Sequence, residues 1–587
     1  MAFARRLTLP KAASLHACVA VCPILALALL PAAAYAQASQ SADPSRIEEQ
    51  VRERVQPDKP EPADDLRLGV FDRSAGSVEG GRFILTGITV EGANVISGEA
   101  IAATYSDFLA TEVGPAELDA IAGRITALYR DRGYVLSRAI IPPQDIAMGL
   151  ITVRVIEGHV EQVTTSGPVP VWAISGYADR ITAERPLTLA TLERNMLLIN
   201  DRPGATLEDA VLTEDKERPG AYTLDLKISL DRFGGAFFTD NRGSAEVGPV
   251  QTGLSAEIRN ALSFGDAITL TAFTVPQDTE ELRLLRLAYA TSLGSSGLQG
   301  GIQLTASEID AGGTNAAFED ESSLRKASLQ LSYPVIRARE QALWVNGQLD
   351  IRFANEKTRF GEVFDENLVV LRGSISGMVT DGLEGRTYAT FKVSKGVRLL
   401  NSAKKGDPLL SRRDADPQAA SLELSLSRHQ PIIDDWLSLT LSGRAQRATG
   451  PLVSSEEFSL GGARYGRGYE YGELTGDDGI AGSVELTLAP DLSLGPVTGP
   501  ALYLFYDTGA VWNRNIVFGD SRQSLSSAGA GIRLTLAEKV SAGFELAKPL
   551  DRDTSRTNTQ EWLGLFFVSG ELSHRAIGSS CSRMCKQ

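Results

Sequence analysis

A run of short alternating segments, which begins near residue 232 and continues to residue 572, constrains the fold of this chain more than any other feature. In "LSLTLSGRAQ" (437–446), Leu, Gly and Ala occupy one face, and Ser, Thr, Arg and Gln occupy the other. A period of two is typical of β-strands. A soluble sandwich would bury the apolar face against a second sheet, whereas a membrane barrel would turn it towards lipid and its polar face towards a wet lumen. The same pattern recurs at 254–262, 301–309 and 421–428.

The lengths of the connections favour the barrel. About sixteen strands fit into this region, with room for strands of about ten residues or slightly more in a bilayer. Short turns on one rim and long loops on the other are typical of outer-membrane proteins. We therefore predict a transmembrane β-barrel of about 16 antiparallel strands over residues 232–572. The connections alternate between a generally short set, with members near 264 and at 336–340 and 537–539, and an often longer set, with members at 311–322, 399–416 and 448–478.

Residues 1–36 have the composition of a secretory signal peptide. A basic start is followed by an apolar run, and Ala34-Tyr35-Ala36 provides a small-x-small cleavage site. No uncharged apolar stretch of about 20 residues follows, so the sequence predicts no transmembrane helix. An exported chain of this kind is either a soluble periplasmic or secreted protein or an outer-membrane β-barrel.

Charge, cysteine content and the absence of catalytic motifs exclude several classes of function. The chain has 58 Lys and Arg against 73 Asp and Glu, and this acidic excess argues against nucleic acid as a partner. Between the signal peptide and the last few residues there is no cysteine, which excludes a disulfide scaffold. Nucleotide-binding, zinc-protease and serine-hydrolase motifs are absent from the sequence, and its four histidines are scattered. We expect no enzyme activity, no cofactor and no metal site.

An amphipathic arm precedes the barrel. Ile47, Val51 and Val55 recur every four residues in "SRIEEQVRERVQ" (45–56), which predicts a short helix with one apolar face. From the residues alone, this arm could also be a solvated, disordered segment. Residues 57–80 contain three prolines and three glycines, and we interpret them as a linker.

Two small α/β units follow the linker. Residues 81–157 combine strand alternation with two segments of helical spacing and end in the strand "ITVRVIEG". Residues 158–231 repeat the plan, with a helix at "LTLATLERNMLLIND" between the strands "VEQVTTSG" and "YTLDLKISL". The implied architecture is two successive β-α-α-β-β units.

This order of segments, together with four stretches of sequence, resembles the two-partner secretion transporters, the family of haemolysin and filamentous-haemagglutinin secretion/activation proteins. The stretches resemble, in order, the family's first and second POTRA domains, the start of its barrel, and a barrel strand with its periplasmic turn. They are "YRDRGYVLSRAIIPPQDIAMGLITVRVIEGHV" (129–160), "LTLATLERNMLLINDRPG" (187–204), "TDNRGSAEVGP" (239–249) and "LSYPVIRARE" (331–340).

The resemblance implies a place for each part of the chain. Residues 81–157 and 158–231 would be two periplasmic POTRA domains, and residues 232–572 would form an outer-membrane β-barrel. Residues 37–56 would form a plug helix in the barrel pore. Residues 57–80 would join this helix to the first POTRA domain.

"GGARYGRGYEYGELTG" (461–476), in the longest predicted loop, sets an arginine between two glycines. Glycines on both sides allow backbone conformations closed to other residues and let the loop pass close to the barrel wall. The family carries a V-R-G-[FY] motif in its sixth extracellular loop. This chain has a segment that resembles the motif: Gly466, Arg467, Gly468 and Tyr469, with Gly466 in place of the usual Val.

The resemblance also implies a partner for this arginine. In the family, the loop folds back into the lumen, and its arginine reaches the aspartate of an F-x-D motif on the barrel wall. "LYLFYDTGAVW" (502–512) supplies Phe505 and Asp507, which a spacing of two puts on one face of a strand. We expect Arg467 and Asp507 to form a charge-assisted pair. In a hydrated lumen, the pair would contribute roughly 0–1 kcal/mol to barrel stability.

The resemblance implies export of one cognate large exoprotein. Its extended N-terminal secretion domain would pair with the POTRA domains, and strand addition to an exposed sheet edge is the natural physical mode. Transport would use binding and folding free energy, because the periplasm holds no ATP. The other expected partners are outer-membrane lipids and the barrel-assembly machinery.

Three alternatives have different requirements. An assembly factor (insertase) of the same superfamily would typically carry more POTRA domains and no plug helix. A passive porin would need no periplasmic domains, and an enzyme would need a site that the sequence lacks.

The C-terminus departs from the family pattern. Family barrels usually end at a terminal aromatic residue, whereas residues 573–587 follow the predicted last strand, 561–572. Cys581 and Cys585 in this tail form either a small loop disulfide or free thiols.

Overall fold

The computed structural model describes residues 43–55, 68–69 and 81–571, except 147, 314–315, 435, 496, 516–520 and 537–538. Several predictions fall wholly or partly outside the described residues: the signal peptide (1–36), the start of the predicted plug segment (37–42), most of the linker (57–67 and 70–80), the tail (573–587) with Cys581 and Cys585, and the side chain of Val55.

Two elements precede the first α/β domain. Helix α1 spans Pro44–Val55, close to the predicted 45–56. Strand β1, Leu68–Gly69, lies within the segment interpreted as a linker and pairs in parallel with a strand of the second domain, Leu68 opposite Ala210. Because an extended segment can occupy a free sheet edge without an apolar pattern of its own, the sequence did not reveal this strand. None of the described helices is both long enough and apolar enough to cross a membrane.

The first α/β domain packs its helices against a small sheet. Its elements are β2 (Phe83–Ile84), β3 (Gly87–Glu91), α2 (Gly98–Ala103), β4 (Glu112–Val113), α3 (Pro115–Asp131), β5 (Arg138–Ile140) and β6 (Leu150–Ile156). The sheet has the order β3-β6-β5. Burial alone would raise the pKa of Glu157, but hydrogen bonds from Asn94, Val95 and Tyr129 outweigh it and lower that pKa. Glu157 thereby ties the loop after β3 to helix α3.

The second α/β domain has the same plan with a larger sheet. Its elements are β7 (His159–Ser166), α4 (Ser175–Ala183), α5 (Leu189–Asn200), β8 (Ala205–Glu214) and β9 (Ala221–Leu230). The sheet order is β1-β8-β9-β7, in which β7 and β9 run parallel and β8 and β9 antiparallel.

The two domains share side chains across their junction. Leu136 belongs to the first domain in sequence, yet it is buried among the core residues of the second. Arg138 donates hydrogen bonds to Glu214 (2.7 Å) and to the Tyr222 hydroxyl (3.0 Å). The domains are therefore packed together and not only tethered.

Sixteen antiparallel strands form a closed barrel, as the sequence predicts. The strands are β10 (Phe233–Asp240), β11 (Gln251–Arg259), β12 (Asp266–Thr274), β13 (Arg283–Ser292), β14 (Gln299–Asp310), β15 (Glu321–Arg337), β16 (Gln341–Thr358), β17 (Gly361–Thr380), β18 (Arg386–Gly396), β19 (Ala420–Ile433), β20 (Leu437–Ala448), β23 (Asp478–Leu488), β25 (Val497–Trp512), β26 (Arg522–Leu536), β27 (Val540–Pro549) and β28 (Leu563–Glu571). Two short strands, β21 (Phe458–Leu460) and β22 (Leu474–Gly476), lie in the long loop after β20, and β24 (Ser493–Leu494) extends the turn before β25. Pairing of β10 with β28 closes the barrel, with Asp240 opposite Phe567.

Strands β15, β16 and β17 are longer than predicted, with 17, 18 and 20 residues. A bilayer requires only about ten tilted residues. The extra length lies on the side of the long loops, because the opposite ends of β15 and β16 meet in the short turn 338–340. This hairpin therefore continues beyond the bilayer as paired strands.

The second α/β domain docks on the short-turn rim of the barrel. Arg202 donates to the carbonyl oxygens of Phe264 (2.7 Å) and Gly294 (2.9 Å), which belong to two neighbouring turns. Next to a third turn, the last residue of β15, Arg337, makes a two-pronged contact with Asp201 at 2.8 and 2.6 Å. Charge-assisted bonds to three turns fix this domain beneath the barrel.

Candidate functional site in the barrel lumen

The long loop between β20 and β23 begins as a hairpin, with Phe458 opposite Gly476. Gly461 and Gly466 both have φ near 103°, a conformation that L side chains rarely adopt. At Gly468, a Cβ atom would lie 2.9 Å from the backbone of strand β27. The glycines thus permit the backbone turns and the close approach to the wall that this loop makes.

The structure brings Arg467 and Asp507 together. Nε of Arg467 donates to Oδ2 of Asp507 at 3.0 Å, and Nη2 donates to Oδ1 at 2.9 Å. The backbone N–H groups of Gly466 and Arg467 donate to the same Oδ2 at 3.2 and 3.0 Å. Because one carboxylate binds both the guanidinium and the backbone of the loop, the orientation of the loop at this point is fixed.

Other wall residues complete the surroundings of the guanidinium. Nη1 donates to Glu485 at 2.6 Å, and Nη2 donates to Ser483 at 3.1 Å. The Ser483 hydroxyl donates to Asp507 at 2.7 Å, and the Phe505 ring centroid lies 3.6 Å from the guanidinium carbon. Arg533 also donates to Glu485, at 2.7 Å, so the second carboxylate is shared between two arginines.

The loop also buries apolar side chains, which the sequence analysis did not anticipate. Arg467 is 5% exposed and Asp507 is 0% exposed. The expectation that this pair lies in a hydrated part of the lumen is therefore wrong, because an apolar cluster excludes water from one side of it. The cluster consists of Phe458, Leu460, Tyr469, Leu474, Ala481, Val511 and Leu525.

Helix α1 lies inside the barrel and presents its apolar face to the wall. Ile47 is 5% exposed and Val51 is 0% exposed. They pack against apolar residues near the rim that carries the long loops, so this face is shielded from water. The contacting residues are Val247, Phe273, Val275, Leu282, Leu284, Ile309 and Ala311.

Charged side chains of α1 are paired with the wall. Glu48 accepts hydrogen bonds from Arg286 at 3.0 Å and from Lys326 at 3.2 Å. On the other side of the helix, Arg46 donates to Glu457 at 3.2 Å. These contacts join the helix to strands β13 and β15 and to the long loop.

Glu457 links the helix to a second loop. Its other oxygen accepts a hydrogen bond from Arg412 at 3.0 Å, in the loop between β18 and β19. Arg412 also donates to Asp477 (2.8 Å) and to the carbonyl oxygen of Arg514 (2.8 Å). The helix and two long loops therefore share one network of charges.

A cavity of about 730 Å³ lies beside the helix, the loop and the wall. In the described part of the chain, no group of His, Cys, Asp and Glu side chains could hold a metal ion. The cavity is polar, and its lining includes Glu49, Lys326, Arg352, Arg372, Lys392 and Arg444.

The site residues named from the sequence fall in two places. Ile47 and Val51 lie in the helix contact, and the others meet at the contact between loop and wall. Sequence analysis missed Glu48, Glu457 and Arg286, although strand parity puts Arg286 on the same face as Leu284 and thus towards the lumen. The residues at the loop contact are Gly466, Arg467, Gly468, Tyr469, Phe505 and Asp507.

The chain is similar to known outer-membrane transporters. It is 23% identical over 482 residues to the heme/hemopexin transporter protein HuxB of Haemophilus influenzae, covering 79% of this chain and 83% of HuxB. It is 24% identical over 442 residues to the outer membrane transporter CdiB of Dickeya dadantii, covering 72% and 75%. The structure of CdiB from Escherichia coli matches its fold with a TM-score of 0.68 and 19% identity, over 91% of this chain and 98% of CdiB.

Two family profiles match the chain. The profile of the ShlB-type POTRA domain matches residues 83–158. The profile of the haemolysin secretion/activation protein ShlB/FhaC/HecB matches residues 227–534, which is more than half of the chain. The structure agrees with both matches, because it contains two α/β domains followed by a closed barrel. The chain therefore belongs to the haemolysin secretion/activation protein family, as a two-partner secretion transporter of the outer membrane with POTRA domains in the periplasm.

Proposed function

We propose that the protein exports one cognate large exoprotein, captures it with its POTRA domains and passes it through the barrel after helix α1 leaves the lumen. The names of HuxB and CdiB describe transporters, which supports a secreted partner for this chain as well. The barrel-assembly machinery would insert the protein, and the absence of a nucleotide-binding motif from the sequence agrees with transport without ATP.

One observation carries the proposal: among the described residues, the outer edge of strand β8 is covered by the two-residue strand β1 alone, which leaves room for strand addition. Of the described residues, Leu68 and Gly69 pair with this edge, opposite Ala210 and Val211. Strand β8 is ten residues long. An extended secretion domain that pairs along β8 would form more backbone hydrogen bonds than these two residues and would displace them.

Displacement of β1 would also loosen helix α1, the proposed plug. Leu68 follows the end of α1, Val55, along the same segment of chain. A secreted chain that takes the place of β1 would therefore release a strand that follows α1 in the same chain. Capture and opening of the pore would be coupled in this way.

A disulfide between β1 and β8 tests the proposal. Gly69→Cys and Val211→Cys place two thiols at paired positions, in a chain that also carries Cys581→Ser and Cys585→Ser. The substrate is a large exoprotein that the wild-type protein exports, and its appearance in the medium is measured. The oxidised double variant should not export it, and reduction should restore export, while each single variant should export normally. Normal export by the locked protein would refute capture at β8.

The alternative function, an insertase for other barrels, is favoured by one observation. The closing seam between β10 and β28 has five paired positions among the described residues, whereas β16 and β17 have eighteen. A seam with few paired residues could open laterally and let another barrel strand pair there, as an insertase would need. In contrast, helix α1 in the lumen and the presence of two POTRA domains favour export over the insertase function. Reconstituted protein that accelerates the insertion of a second barrel into liposomes would support the alternative.

A further inference from the structure

The loop between β7 and α4 holds two exposed apolar side chains in a fixed position. Val169 and Ile174 are buried in the core of the second POTRA domain, 2% and 0% exposed. Between them, Val171 is 38% exposed and Trp172 is 76% exposed. Because its two ends are buried, the loop presents the indole ring from a rigid base. Single exposed apolar side chains are common on protein surfaces, so the position of this pair in the fold decides what it contacts.

Strand directions place this loop at the end of the domain that faces the membrane. Strand β7 runs parallel to β9, and its last residue, Ser166, lies opposite Lys227. Strand β9 ends at Leu230, and the first barrel strand begins at Phe233. The carboxyl ends of parallel strands lie at the same end of a sheet. The loop after Ser166 therefore lies beside the entry of the chain into the barrel.

The segment after the loop touches a turn of the barrel rim. Gly176 packs so closely against Ser295 that a Cβ atom has no room, and Arg180 donates a hydrogen bond to the carbonyl oxygen of Ser295. Trp172 lies in a 3-10 turn, Val171–Ile174, that leads directly into α4, and Gly176 and Arg180 lie four residues apart on one face of α4. This face is directed at the rim. Leu293, next to the same turn, is 44% exposed on the barrel.

We propose that Trp172, with Val171, contacts the periplasmic leaflet of the outer membrane and anchors the second POTRA domain to it. Tryptophan is enriched at membrane–water interfaces, because its large apolar ring carries one N–H group that remains at the polar boundary. The contact would be continuous with the lipid-facing surface of the barrel beside the turn. It would add a lipid-mediated point of attachment to the three turn contacts of this domain. The proposal depends on the outer-membrane location of the chain and not on the proposed export.

Spin-label accessibility in phospholipid nanodiscs tests the position of the loop. A nitroxide is attached at Trp172→Cys in full-length protein with Cys581→Ser and Cys585→Ser. Oxygen concentrates in lipid and a nickel chelate stays in water, so their collision ratio reports depth. Leu304→Cys, on the lipid-facing side of β14 and 50% exposed, is the lipid control. Met148→Cys, on the first POTRA domain and 84% exposed, is the water control.

The ratio at residue 172 should be several-fold above that at residue 148 and should approach that at residue 304. A ratio equal to that at residue 148 would overturn the proposal. Protection that appears only when a secretion domain is added would also overturn it and would assign the surface to the secreted partner. The native side chain provides an independent test, because brominated lipids should quench the fluorescence of the wild-type protein more than that of Trp172→Phe. Equal fractional quenching of the two proteins would contradict the lipid contact.

Discussion

Asp507 orients the loop that narrows the lumen, because its two oxygens bind the guanidinium and two backbone N–H groups at once. The fixed fork of Arg467 matches a carboxylate in this geometry. Because both charges are buried, removing either one is costly: the remaining charge stays desolvated and has no partner. At the residue scale, the pair therefore holds the loop far more firmly than an exposed ion pair would.

Arg467→Ala should lower secretion of the partner while the barrel stays heat-modifiable on gels. Removal of one member of a buried pair costs about 3–5 kcal/mol. The barrel strands are closed by their own hydrogen bonds, so this loss should fall on the loop. Limited proteolysis should show new cleavage within residues 461–476. Arg467→Lys should also be poor, because an ammonium group cannot present the planar fork.

Asp507→Ala should give the same defect, and the double variant should be little worse than either single one. Arg533→Ala is the matched control, because Arg533 binds Glu485 from the barrel wall with a side chain that is 41% exposed. Its effect on secretion should be small. Fully additive defects of Arg467→Ala and Asp507→Ala would show that the two residues are not functional partners.

At the element scale, helix α1 needs its contacts with the barrel wall to be stable. A helix of twelve residues is marginal in water by itself. In the lumen, an apolar face with Ile47 and Val51 meets an apolar patch, and Glu48 meets two cations. A helix held in this way can leave as a unit when these contacts are broken. We infer that it acts as the plug.

Glu48→Lys should release α1 and raise the conductance of the protein in planar bilayers, towards that of a deletion of residues 37–60. The new ammonium group would face Arg286 and Lys326, and like charges in a partly dry lumen repel strongly. Glu49→Lys is the control, since Glu49 lies 3.7 Å from the guanidinium of Arg444 and its side chain is 21% exposed. Unchanged conductance in both Glu48→Lys and the deletion would remove the plug assignment.

At the scale of the whole molecule, the two POTRA domains and the barrel are joined by buried contacts. Leu136 lies in the core of the second domain, and Arg202 and Arg337 fix that domain to the rim. A truncation of residues 81–157 would therefore remove a core side chain from the second domain as well as the whole first domain. A point variant separates these two effects.

Leu136→Ala should destabilise the second POTRA domain by about 2–5 kcal/mol, as expected for a buried leucine. Hydrogen exchange of the amides in β7, β8 and β9 should become faster, although the substituted residue precedes that domain in sequence. Leu109→Ala, at a side chain that is 39% exposed, is the control and should change stability by less than about 0.5 kcal/mol. Unchanged exchange in Leu136→Ala would show that the domains are independent.

The sequence by itself determined the barrel, the helix and the partners at the loop contact. Strand alternation is local information, because each residue's face follows from its parity, and Arg467 and Asp507 lie in motifs that can be recognised without coordinates. The apolar spacing of Ile47 and Val51 likewise predicted one face of α1.

Only the tertiary structure decided the rest. The pairing of β1 with β8, the burial of Leu136 in the next domain and the sharing of Glu457 between Arg46 and Arg412 join residues that are far apart in sequence. No local period encodes such contacts. The burial of Arg467 and Asp507 was predicted wrongly, because exposure depends on which side chains of a folded loop surround a charge and not on the charge itself.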